Sequence, residues 1–245
     1  MRSRAPRTGF SPRPLRDPFA DRASLLIRVL LEQPGAEWSV RGLAEAAGVT
    51  PMLSSDVVRQ LAESQVVTTR PSGRKLSVRL RDPALLLERW TSAYRWNKNV
   101  AVTVAAPVID TERFLGRLPR TFAARRWALT LLAGAWQRIR FAPTERLHVY
   151  VESTDARDLR TIADEAGWPE DPTGRVVLMK PWYRDAVWHG VVRPDTRTAP
   201  VVSDLQLIVD LWHYPERGQE VAKQLWRPFL RRHAEAARRD RLREP

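Results

Sequence analysis

Four carboxylates, Asp204, Asp210, Glu216 and Glu220, fall in one short stretch near the end of this 245-residue chain, and clustered acids can hold a divalent metal for phosphoryl transfer. Their settings point elsewhere. Ser203-x-x-Gln206 is a capping box, which puts Asp204 in a first helical turn, where the helix dipole stabilises a carboxylate. Asp210 falls inside the apolar run of that helix, SDLQLIVDLWHY, where one hydrogen-bonded acid locks a neighbouring loop, with Arg217 across the Pro215 break as its expected partner. Nucleotidyltransferase chemistry would need Gly-Ser followed by paired aspartates, and a restriction-type nuclease an acid followed by Glu-x-Lys. Glu170, Asp171 and Lys180 come nearest to the second, without its spacing. The chain has no phosphate-binding glycine loop, dinucleotide fingerprint, Gly-x-Ser-x-Gly elbow or His-Glu-x-x-His pair. It has no cysteine, and His148, His189, His213 and His233 lack ligand spacing. No catalytic residue, metal or cofactor is therefore expected, and the chain is expected not to be an enzyme.

A different constellation spans Trp38 to Leu80. Leu43, Ala44 and Ala47 give a short helix an apolar face, Gly48 supplies a turn, and Thr50-Pro51 reads as an N-cap with proline in the first helical position. In the helix that follows, Leu53, Val57, Val58 and Leu61 form a core-facing stripe, while Met52, Ser55, Asp56 and Arg59 point the other way. Val66 to Thr69, a Pro71-Ser72-Gly73 turn, Arg74 and Lys75, and an alternating Leu76, Val78, Leu80 make a hairpin with cations at its tip. This order is that of a winged helix-turn-helix, built to lie against a duplex. Thr50, Met52, Ser55 and Arg59 are expected to meet the major groove, with Arg59 the best base reader through guanine. Arg70, Arg74 and Lys75 on the wing, and Arg41 at the start of the preceding helix, would neutralise phosphates. Asp56 complicates that face, since it repels phosphate and serves only by accepting from a cytosine amine. One such module covers few base pairs, so specificity calls for two copies, as a homodimer or side by side on an inverted repeat of double-stranded DNA.

The elements that must hold these groups follow from patterning. Net charge is +13, with a surplus of six over residues 1 to 80, three over 81 to 225 and four over the last twenty, so the cations gather at the two ends. Only four of the 41 cations are lysine; this suits phosphate and guanine recognition, and a GC-rich genome equally. Residues 1–18 carry five arginines, four prolines and one acid, a disordered basic arm. From Asp21, a plausible N-cap, Leu25, Leu26, Val29 and Leu30 form a helix completing a DNA-binding domain over 19–81. Asp82-Pro83 caps a connector helix over 82–100, carrying Leu86, Leu87, Trp90 and Tyr94. A mixed α/β domain over 101–230 and a basic tail over 231–245 follow, an α+β fold class overall. Within that domain the spacing predicts a helix over Ala124 to Arg140, strands at Leu147 to Val151, Arg175 to Met179 and Val187 to Val192, and helices from Asp158, from Ser203 and from Glu216. Most tryptophans sit at helical spacing in apolar surroundings, which is core. Trp182-Tyr183 between Lys180 and Arg184 is the exception, an aromatic pair among cations, best taken as a strand-end loop. No stretch is long and apolar enough to span a membrane, and a cytoplasmic location is expected.

Three stretches, Arg81 to Trp96, Arg125 to Trp136 and Val201 to Leu225, carry a family resemblance, the last through Ser203, Gln206, Asp210, Leu211, Arg217, Gly218 and Glu220. With the upstream elements, from about Leu25 to Leu225, the chain resembles the AbiEi family of antitoxin regulators of type IV toxin–antitoxin systems. The resemblance implies a winged helix binding inverted repeats in its own promoter, and a C-terminal domain with antitoxin activity toward a nucleotidyltransferase-like toxin. Ile208 stands where the family carries an aromatic, and Gly134 is displaced from its usual motif position, as in a divergent member. Two alternatives remain: a ligand-responsive winged-helix regulator without a toxin partner, and an enzyme acting on nucleic acid or nucleotides through the Asp204 to Glu220 region.

Overall fold

The computed structural model of the chain describes residues 17–73, 75–140, 145–193, 199–215 and 217–241. Most of the basic arm, Arg74, Glu216 and the end of the tail lie outside them.

The first helix, α1 (Ser24–Glu32), is buried from Ser24 through Leu31, because its sequence is apolar on nearly every side. Asp21 does not cap it: Ala23 holds the cap position without a side-chain bond, and the Asp21 carboxylate accepts instead from the backbone N–H groups of Arg184, Asp185 and Ala186. A short strand β1 (Glu37–Ser39) leads into α2 (Val40–Ala46), whose cap is the Ser39 hydroxyl. Gly48, at φ +62°, turns the chain into α3 (Pro51–Glu63), where Thr50 Oγ1 accepts from the Leu53 amide. Ser54 Oγ donates to the Val40 carbonyl at 2.9 Å, pinning α3 to the start of α2. Strands β2 (Val67–Ser72) and β3 (Lys75–Leu80) form an antiparallel hairpin, and β1 adds to the free side of β3, giving the order β1-β3-β2.

Asp82 caps α4 (Pro83–Ala93). The chain then enters a four-stranded sheet through β4 (Val100–Val104), whose inward residues Val102 and Val104 alternate with more exposed ones. Two short helices, α5 (Thr111–Leu115) and α6 (Leu118–Thr121), precede β5 (Trp127–Thr130) and α7 (Leu131–Ile139). Strand β6 (Leu147–Val151), helix α8 (Ala156–Glu165) and strand β7 (Val176–Lys180) make a parallel crossover unit. The sheet order is β4-β7-β6-β5, with both outer strands antiparallel to their neighbours. Helix α8 contacts β4 and β7, whereas α7 and α9 (Asp204–Trp212) contact β5. Strand β6 is buried along its whole length, as expected where apolar layers cover both faces. The last helix, α10 (Gly218–Arg241), packs on α9, α7 and α4.

Two elements differ from the patterning. The run predicted as one helix over Ala124 to Arg140 divides at Leu131 (φ +52°) into β5 and α7. Tertiary hydrogen bonds decide this: Leu129 donates to Pro200 and accepts from Val202, which binds the stretch to a sheet. Val187 to Val192, predicted as a strand, holds a 3-10 turn at Ala186–Trp188 and one bridge between Val192 and Val201. Buried apolar side chains form one contiguous cluster from Ala23 to Phe229.

Candidate nucleic-acid interface and the buried polar core

Helix α3 buries Leu53, Val57, Val58 and Leu61 and leaves its opposite face open. On that face Met52 is 61% exposed, and Ser55 and Arg59 are exposed beside it. Thr50, exposed at the helix start, spends its hydroxyl as the N-cap. Asp56 accepts from Arg59 Nη2 at 3.1 Å, one turn apart on the same helix. The acid that patterning set against phosphate is thus paired with the leading base-reading candidate, whose guanidinium stays exposed. Arg41 opens α2 and pairs with Glu45 at 3.0 Å, both well exposed. Such a surface pair is worth at most about 1 kcal/mol, so it does not fix the guanidinium. Arg70 is exposed on β2 and Lys75 begins β3; Arg74, between them, lies outside the described residues.

The acidic motif near the end of the chain does something else. Asp210 is fully buried, and its Oδ1 accepts from Tyr94 at 2.8 Å, Tyr150 at 3.1 Å and the Gln206 amide at 2.9 Å. Its Oδ2 accepts from the Thr130 hydroxyl at 2.6 Å. Burial raises its pKa to about 6, against the pull of these four donors. The other end of the Gln206 amide accepts from Arg28, which also donates to Ser203 Oγ at 2.9 Å. Arg28 is itself fully buried in α1, with its guanidinium over the Trp90 ring at 5.0 Å. A buried cation and a buried anion are thus joined through one amide, whose orientation both ends dictate. Trp90 Nε1 donates to the Tyr183 hydroxyl, which donates to the Phe19 carbonyl.

The expected Asp210–Arg217 pair does not form. Arg217 instead pairs with Glu220 at 3.0 Å on the surface, because Asp210 is buried with both oxygens taken by Tyr94, Tyr150, Gln206 and Thr130. Asp204 pairs with Arg138 of α7 at 2.7 Å. Glu216 lies outside the described residues, among which no group of three or more His, Asp or Glu side chains could hold a metal ion. Buried Arg28 was not among the sequence candidates, although a lone arginine in the run SLLIRVLLE was the available signal. His148 is buried edge-on to Tyr214, and burial pushes it down to about 4, so it is neutral. Tyr183 is core and Trp182 half-buried beneath Lys98, the strand-end loop expected of them.

Comparison with known proteins supplies the class. A family of transcriptional regulators matches over residues 79–229, well over half the chain. The chain belongs to that family, described as transcriptional regulator, AbiEi antitoxin, type IV toxin–antitoxin system. All three stretches that carried the resemblance fall inside the match, whereas Arg41, Thr50, Met52, Ser55, Arg59, Arg70, Arg74 and Lys75 precede it. No curated protein and no solved structure matches the chain. No helix among the described residues is long and apolar enough to cross a membrane.

Proposed function

We propose that this regulator binds duplex DNA through a winged helix-turn-helix over residues 19–81 and represses its own promoter, as the antitoxin of a type IV system whose toxin is nucleotidyltransferase-like. The observation that carries the reading is the open face of α3: it lies beside a hairpin, and Met52, Ser55 and Arg59 remain exposed on it. A long apolar side chain left in water on this helix suits contact with thymine methyls, and the exposed Arg59, paired with Asp56, suits guanine. Arg41, Arg70, Arg74 and Lys75 take phosphates. Two copies on an inverted repeat supply the specificity that one module lacks.

Quantitative binding to the chain's own promoter and to random DNA tests this. Arg59→Ala is expected to cost about 1 to 3 kcal/mol on the promoter alone, and Lys75→Ala to weaken both DNAs and reduce the salt slope by about one. Equal losses on both DNAs from both variants would remove the groove assignment.

A further inference from the structure

Beyond the carboxyl ends of the parallel strands β6 and β7 the surface opens into a cleft of about 410 Å³. In open α/β sheets ligands settle outside the carboxyl ends of the parallel strands, which here are the single parallel pair β6 and β7. Four cations line the cleft: Arg125 and Arg126 ahead of β5, Lys180 at the end of β7, and Arg184 beyond it.

Their roles divide. Arg125 is consumed by structure, with two bonds to Asp158 and one to the Glu152 carbonyl. Arg126 gives one nitrogen to Glu152 at 2.6 Å and lies over the Trp188 ring at 5.2 Å. Lys180 and Arg184 enter no ion pair among the described residues. The start of α8 is not the attraction, since Asp155 and Asp158 already cap it. A second hollow of about 350 Å³ shares Arg125, Arg126 and Trp188 and continues over Phe122, Trp127 and Val191. Three acids share the first lining: Asp158 and Glu152 are spent on Arg125 and Arg126, and the Asp185 charge acts on Arg126. The second hollow adds Arg193, and since Phe122 and Trp127 are buried, Trp188 is the half-buried aromatic ring common to both, stacked on Arg126. The wall bearing Arg184 is held in place, because the Asp21 carboxylate takes three successive amides from 184–186.

We propose that this double cleft binds a nucleoside phosphate, its phosphate between Lys180 and Arg184 and its ring against Trp188. A phosphate monoester carries nearly two charges at neutral pH, which matches Lys180 and Arg184, the two lining cations outside ion pairs among the described residues, better than a single carboxylate does. Both hollows fall in the size range of small-molecule sites. The site stands on the opposite half of the sequence from the DNA-contact candidates, and its test contains no DNA.

Calorimetric titration of the full chain with adenosine and guanosine 5′-phosphates, ribose 5-phosphate, adenosine and inorganic phosphate checks it. At least one nucleoside phosphate is expected to bind, quenching tryptophan fluorescence, with adenosine and ribose 5-phosphate at least about tenfold weaker. Lys180→Ala with Arg184→Ala is expected to lower that affinity about tenfold or more at an unchanged melting temperature. Trp188→Leu is expected to weaken the nucleoside phosphate and leave inorganic phosphate unaffected. Absence of binding by every nucleoside phosphate at about 1 mM, inorganic phosphate binding as tightly as they do, or undiminished binding by the double variant would each overturn the proposal.

Discussion

Arg28 is the residue on which the interior turns. A guanidinium enclosed in an apolar helix survives because Ser203, the Gln206 amide and the Trp90 face replace water around it. Removing it leaves the buried Ser203 hydroxyl and Gln206 carbonyl without that donor, at a cost of about 2 to 6 kcal/mol in all. Arg28→Ala should therefore lower stability by about that amount in urea melts, whereas Arg217→Ala, on a surface pair, should change it by under about 1 kcal/mol. Two buried titratable groups also oppose each other in pH. Asp210 is raised by burial to about 6, so its contribution is complete below its unfolded value near 3.9 and is lost as pH rises through about 6. His148 is lowered by burial to about 4, so its contribution is present above about 6.5 and is lost as pH falls through about 4. Between these limits the two slopes cancel. His148→Phe should make the melting temperature fall relative to wild type as pH rises from about 4 to 6.5, and Asp210→Asn should do the reverse. Parallel curves for wild type and both variants would contradict this.

At the scale of elements, glycine and caps decide where helices stop and how close they lie. A Cβ on Gly134 of α7 would stand 2.8 Å from Leu207 Cδ2 and 3.1 Å from the Leu129 carbonyl. On Gly218 it would stand 2.4 Å from the Leu211 carbonyl, where α10 folds back on α9. Overpacking of this kind costs about 1 to 3 kcal/mol, and Gly218→Ala should be the worse of the two because its obstacle is backbone. Thr50→Ala should cost about 1 kcal/mol through the lost cap. Thermal melts of the three variants would rank them, and a silent Gly218→Ala would refute the close approach. The starts of α3, α4 and α9 were legible because their signals are local: Thr50-Pro51, Asp82-Pro83 and Ser203-x-x-Gln206. The division of Trp127–Thr130 from α7 was not, since an apolar run reads alike as buried helix or buried strand and the deciding hydrogen bonds come from residues 200 and 202.

Across the whole molecule, α1 belongs to two neighbourhoods at once. It contacts α2 and β3, while Arg28 reaches Ser203 and Gln206 near the other end of the chain. The turn after α1 is filled from outside as well: a Cβ on Gly35 would meet the Ala236 Cβ of α10 at 2.7 Å. A fragment ending at Arg81 would expose the Arg28 face and lose these contacts. It should melt broadly and well below the full chain by circular dichroism; a sharp transition at the full-chain temperature would show that α1 needs nothing beyond residue 81.

What sequence alone determined is what depends on neighbours in the chain: the caps at Thr50, Asp82 and Ser203, the hairpin turn, the inward and outward faces of α3, and the family pattern of Ser203, Gln206 and Asp210. What that pattern is for was settled only in three dimensions. Hydrogen bonds among α1, α4, β5, β6 and α9 make it the internal joint between a cation and an anion, and no local rule brings Arg28 to Gln206 across 178 positions. Burial and partner choice depend on the whole packed chain, so Arg28, the Asp210 donors and the cleft beyond β6 and β7 stayed hidden until it was folded.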